Sequence, residues 1–221
     1  MKTRLILFLL MISSILSYTQ IVKSIGIKSG VTLSNHDWLH SVFYNRNFEV
    51  VPGFYGAITT DIVSKEFWEI YVDLGYYQSC TKNVLNEYSM NTTEMTPAIN
   101  YRFDFITISP VFRLKTHLKA FTPYIFAGPR MDYYLAEFNN DNALFFKNDI
   151  NKAIFGFTIG EGLAYRIKNI SVFAEYQFFY CFSYMIDKPA EFATSTIERD
   201  QVKFNTHIIS AGIKYHFKGG E

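Results

Sequence analysis

At 221 residues the chain is long enough for one domain with a substantial core, and nothing in its length requires two. Lys plus Arg (21) nearly balances Asp plus Glu (20), so there is no basic field of the kind that gathers nucleic acid. The two cysteines, Cys80 and Cys181, exclude a disulfide framework or a Cys-rich zinc site and read as free thiols.

In chain order, a leader comes first. Lys2 and Arg4 precede an apolar run from Leu5 to Leu16, and Ser17-Tyr18-Thr19 offers small-residue cleavage before Gln20. Residues 1–19 are therefore expected to be a signal peptide and residues 20–221 the mature domain. No later apolar stretch reaches the roughly 18 residues of a membrane-spanning helix, so any entry into a bilayer must be made by strands. Strands can face lipid only when closed into a barrel, because an open edge leaves peptide groups unsatisfied in hydrocarbon.

The aromatic content, with 16 Tyr and 22 Phe, favours pleated strands. At period two the mature chain divides into eight segments, near Ser24 to Ser34, Gly53 to Val63, Phe67 to Ser79, Ala98 to Leu114, Phe121 to Glu137, Ala153 to Ile167, Ile170 to Ser183 and Phe204 to Phe217. The first sets Ile25, Ile27, Val31 and Leu33 against Gly26, Lys28, Gly30 and Thr32. In the third, Trp68, Ile70, Val72, Leu74 and Tyr76 share one face and Glu69, Tyr71, Asp73 and Gly75 the other. The last sets Ile209, Ala211, Ile213, Tyr215 and Phe217 against Ser210, Gly212, Lys214 and His216.

The connections alternate in length. Those around Asn35 to Pro52, Cys80 to Pro97, Phe138 to Lys152 and Tyr184 to Lys203 are long and polar; Ser64 to Glu66, Lys115 to Ala120 and Lys168-Asn169 are short. The fold class expected is all-β: an eight-stranded antiparallel up-and-down transmembrane β-barrel, with short periplasmic turns, long outer loops and both termini in the periplasm. Lys28, Glu69, Asp73, Arg113, Arg130, Asp132, Arg166, Glu175 and Lys214 fall on the face opposite the bulky apolar residues, with signs that nearly cancel. They are expected to form a polar network inside the barrel. A secreted lipocalin-like barrel would show the same period with its apolar face inward and its charges outward.

Three features strain this pattern. Pro110 and Pro129 lie within strands, where each removes a ladder donor, so a bulge is expected at each. Glu161 falls in the outward row of Phe155, Phe157, Ile159, Leu163 and Tyr165, where a carboxylate costs a few kcal/mol near the midplane. Gly160 and Gly162 would permit a bulge that turns it inward. If it faces lipid without a partner, the sixth strand or the membrane reading is wrong.

Chemistry is sparse. His36, Asp37, His40 and Ser41 collect in the first long connection, which has no helical pattern to make the histidines a metal pair and no distant partner to complete a triad. No catalytic, metal or cofactor-binding residue is assigned. Gly160-Glu-Gly162 lies in a strand with no helix to follow, so small residues giving room to large neighbours explain it better than a phosphate loop.

Phe105 to Lys115 (FITISPVFRLK) and Pro123 to Leu135 (PYIFAGPRMDYYL) resemble the fourth and fifth strands of the PorT-like porin family of Bacteroidetes outer-membrane barrels. Gly160 to Ile167, Ile170 to Gln177 and Ser210 to Phe217 resemble its sixth, seventh and closing strands, although Lys218 to Glu221 departs from a strictly terminal Phe. The resemblance implies an eight-stranded barrel whose namesake serves a protein-secretion apparatus, and no shared activity. Eight strands enclose only enough space for side chains. The expected function is therefore a surface-binding, structural or secretion-accessory component with a filled interior, not a diffusion pore and not an enzyme. Its partners are expected to be outer-membrane lipid and other envelope or secretion proteins, without nucleic acid. A barrel-rim enzyme acting on lipid or peptide is the alternative, beside the ligand-binding lipocalin-like barrel.

Overall fold

The computed structural model describes residues 22–39, 47–84, 99–139, 150–189 and 199–217. The leader and the positions of His40 and Ser41 lie outside them. Nine strands form: β1 (Ser24–Leu39), β2 (Asn47–Ser64), β3 (Trp68–Val84), β4 (Ile99–Lys115), β5 (Phe121–Asn139), β6 (Ala153–Ile167), β7 (Ile170–Cys181), β8 (Ile186–Pro189) and β9 (Arg199–His216). Each pairs antiparallel with its neighbour, and β1 closes on β9 from Ser24↔His216 to Leu39↔Gln201. The short β8 pairs with β9, bridges to Ile150 through Ile186, and continues the course of β7 after a break at residues 182–185, so the barrel has eight staves. Closure pairs both edges of every stave, which is what a lipid-facing sheet requires.

The alternation read from the sequence is the physical reason for the walls. In the half of the barrel nearest the short turns, Ile25, Ile27, Val31, Ile58, Leu74, Ile108, Ile159, Leu163, Val172 and Ile213 face out, 40% to 58% exposed. Lys28, Asp73, Arg113, Glu175 and Lys214 face in and are buried. A water-soluble barrel of this sequence would expose its largest apolar surface and bury its charges; in lipid the same arrangement is the stable one.

Towards the other end the polarity inverts. Phe103, Phe105, Met185, Ile186, Val202 and Phe204 pack inside, while Asn35, Glu49, Asn100, Gln201, Lys203 and Asn205 stand outside. The staves here leave the apolar belt and continue as a water-facing barrel with an oily core. β1, β2, β3 and β9 consequently run several residues beyond the segments expected from sequence, into stretches read as loop.

The short turns are tight. Lys65 N–H donates to the Trp68 carbonyl, and Lys119 and Lys168 adopt φ of 59° and 56° at the other two. Both ends of the described barrel, Ser24 and His216, lie at this short-turn end.

The prolines do not create bulges. Pro110 and Pro129 lie opposite one another in a β4–β5 register that is the same on both sides, from Ile108↔Met131 to Phe112↔Ala127. The pairing simply opens between them, because neither can donate to the other's strand. The irregularities of register lie elsewhere: in β2–β3 between Val51 and Tyr55 and between Asp61 and Val63, and in β4–β5 between Asp104 and Phe105.

Candidate functional site

Two regions hold residues that such a scaffold does not need for its walls: the bore and one strip of the outer surface. In the bore, the inward period of six staves brings eight charges together. Lys28 Nζ lies 2.6 Å from Asp73 and 2.7 Å from Glu175; Arg113 lies 2.5 Å from Glu69 and 2.8 Å from Glu175. Lys115 reaches Glu69 at 2.8 Å and Lys214 reaches Asp61 at 2.7 Å. Four cations thus face four carboxylates, and the network is neutral as a unit, as burial of charge demands.

Aromatic rings fill the space between the charges. The Arg113 guanidinium lies 4.1 Å from the centroids of both Tyr71 and Tyr124, and the Tyr124 hydroxyl donates to Glu175 at 2.9 Å. Gly160 and Gly162 make this possible: a Cβ on either would collide with the rings of Phe126 or Tyr124. One level higher, Arg130 pairs with Asp132 at 2.6 Å, lies 3.8 Å from the Phe179 centroid and donates to the Cys181 thiol at 3.1 Å. The Tyr77 hydroxyl donates to Asp132 at 2.8 Å. Above these sits the aromatic core already described, so the bore is occupied at every level.

Of the nine residues singled out by sequence, eight are buried in the bore. Arg166 is not: it stands exposed at the short-turn rim, where its Nε donates to the Lys168 carbonyl at 3.1 Å. Arg130 and Asp132 form a separate pair above the main network. Sequence reasoning missed Asp61 and Lys115. Asp61 shares the inward face of β2 with Tyr55, Ala57 and Thr59, so the alternation already marked it; Lys115 was assigned to a turn, but β4 includes it.

His36 also departs from its expected place in a loop. It lies in β1, buried, with Nε2 2.7 Å from Ser79 Oγ and its ring between Phe103 and Phe204. It belongs to the core of the extension, while His40 and Ser41, expected beside it, lie outside the described residues. Cys80 and Cys181 are both buried and unbridged.

On the outer surface the anomaly is Glu161. The register of β6 with β5 and with β7 is unbroken through Gly160 and Gly162, so no bulge turns the side chain inward. It faces out midway along β6, in the row Leu114, Ile125, Glu161, Tyr176, Ile209 and Val31. No hydrogen bond or ion pair joins it to the described residues. Its cross-strand neighbour Tyr176 turns its hydroxyl instead to His207 Nδ1, 2.6 Å away, at the upper edge of the apolar belt. Beside it, the small side chain of Ala127 leaves a hollow of about 520 Å³ lined by Phe112, Ile125, Ile159, Glu161, Tyr176 and Phe178, and Ala174 lines a second hollow on the other side of Glu161 with Leu163, Tyr176 and Ile209.

Glu161 thus faces the apolar belt with no partner among the described residues, yet the register of β6 and the apolar wall both stand, so the expectation that such a placement excludes one or the other is overturned. The fold and wall define the class: a small eight-stranded barrel of the outer-membrane type. No family model matches the sequence, and no curated protein matches it. Among solved structures it is similar to the outer membrane protein OprG from Pseudomonas aeruginosa, with TM-score 0.57 and 11% identity over 90% of this chain and 98% of that one. Neisserial surface protein A is a looser match, with TM-score 0.47 and 14% identity over 87% of this chain and 97% of that one. The first likeness speaks for the fold, and identity this low carries nothing about function.

Proposed function

We propose that this chain is an outer-membrane barrel that acts as a surface-binding or structural component or as an accessory of secretion, and not as a diffusion pore or an enzyme. The observation that carries this reading is the filled bore: among the described residues, Arg113 between two tyrosines, the neutral eight-charge network around it and the Arg130–Asp132 level above occupy the space a channel would need. In this reading the short turns face the periplasm, residues 1–19 are a removed leader, and the long connections are outside. Function then falls to what the rigid barrel carries: the outer connections and the lipid-facing wall.

Deletion of the gene in its host tests the choice. If the chain serves secretion, a class of exported proteins accumulates in the periplasm of the deletion strain. If export and surface display are both unchanged, the accessory and surface-binding readings fall together.

A further inference from the structure

A charge on the wall of a membrane barrel is expected to be selected against unless something meets it there. Glu161 is midway along its strand, inside the belt bounded below by Ile167 and Ile170 and above by His207 and Asn205. It is flanked on its own face by Ile159 and Leu163 and across the ladders by Ile125 and Tyr176. No intramolecular donor reaches it among the described residues, and the nearest phenol is committed to His207. The wall is hollowed on both sides of it, by Ala127 between Phe112 and Ile159 and by Ala174 between Leu163 and Ala211. An acceptor beside a recess is the shape of a socket.

The geometry points to this strip of β5, β6 and β7 as an intramembrane docking site for another membrane protein whose spanning segment presents a lysine or arginine at mid-depth. Charge complementarity selects that occupant. A lipid acyl chain fills the hollow but leaves the carboxyl unmet. A second copy docked by the same strip places two Glu161 carboxyls on one symmetry axis, and like charges in a low dielectric repel. A basic side chain entering the hollow neutralises Glu161 and supplies the donor that the wall lacks. This assignment deepens the accessory reading above and rests on it.

Photocrosslinking in the host, from a diazirine residue placed at Ala174 beside the hollow or at Ile58 on the opposite wall, provides the test. It is paired with the folding equilibrium of the purified chain in phosphatidylcholine vesicles. Glu161→Leu is expected to fold in vesicles with an equilibrium constant about tenfold or more above wild type, since it removes a charge from lipid. In cells the adduct formed from Ala174, and absent from Ile58, is expected to vanish in the same variant. The captured protein's sequence then shows a basic residue within a spanning segment, and changing that residue to Glu together with Glu161→Lys restores the adduct.

An adduct that persists in Glu161→Leu, that forms equally from Ile58, or that consists of two copies of this chain overturns the assignment. So does the absence of any adduct from Ala174 while the deletion strain retains its export defect; in that case the accessory role stands and the wall is not its site. An unchanged deletion strain with an intact, Glu161-dependent adduct does the reverse.

Discussion

Glu175 accepts hydrogen bonds from Lys28, Arg113, Tyr124 and Gln177, at 2.7, 2.8, 2.9 and 3.0 Å, and is the junction through which the bore network is neutral. Removing it leaves two buried cations with one carboxylate each, and the penalty is the uncompensated charge more than the lost attraction. Glu175→Ala is expected to lower stability by about 3–5 kcal/mol, read from urea unfolding in vesicles. Lys82→Ala breaks the Lys82–Glu49 pair, whose side chains are 39% and 62% exposed; it is expected to cost less than about 1 kcal/mol in the same assay. Equal effects from the two variants would contradict the buried network. Much of this network was legible from the inward row of each strand. The pairings were not, because partners such as Lys28 and Glu175 lie on staves far apart in the chain and meet only across the bore.

At the scale of the strand, the membrane belt was legible because lipid forces a two-residue period on every stave it touches. The extensions were not, because beyond Leu33 and before His207 the outward residues become polar while the inward ones mix rings and aliphatic side chains such as Phe103, Val202 and Phe204 with Ser34, His36 and Thr206. Asn35 and His36 therefore look like loop while continuing β1. The facing prolines were misread as bulges because each strand alone shows only one missing donor. The inversion makes a direct prediction. Phe204, buried in the extension, is packed by Phe105 at 5.2 Å between centroids, and Phe204→Ala is expected to cost about 3–5 kcal/mol. Ile209, 62% exposed on the belt, faces tails as apolar as itself, so Ile209→Ala is expected to cost less than about 1 kcal/mol. A soluble barrel with an apolar bore would reverse the order of these two losses in the same unfolding measurement.

For the whole molecule, the bore and the outer wall divide the work. Among the described residues the bore is filled by a neutral charge network and packed rings, and it is on this filling that the proposed assignment of function to the outer surfaces rests. Glu161 breaks the apolar rule on the wall with no hydrogen bond or ion pair among the described residues to offset it, which is the observation on which the proposed docking site rests. Sequence alone could not name the occupant of the proposed site, because one acidic residue in an apolar row specifies a chemistry and not a protein. The central claim is that the barrel is closed to solutes, and ion conductance of the purified chain in planar bilayers tests it most directly. The closed bore predicts a baseline indistinguishable from protein-free membrane across salt concentrations. Steady unitary current steps that grow in proportion to salt would show an open aqueous path and contradict the account.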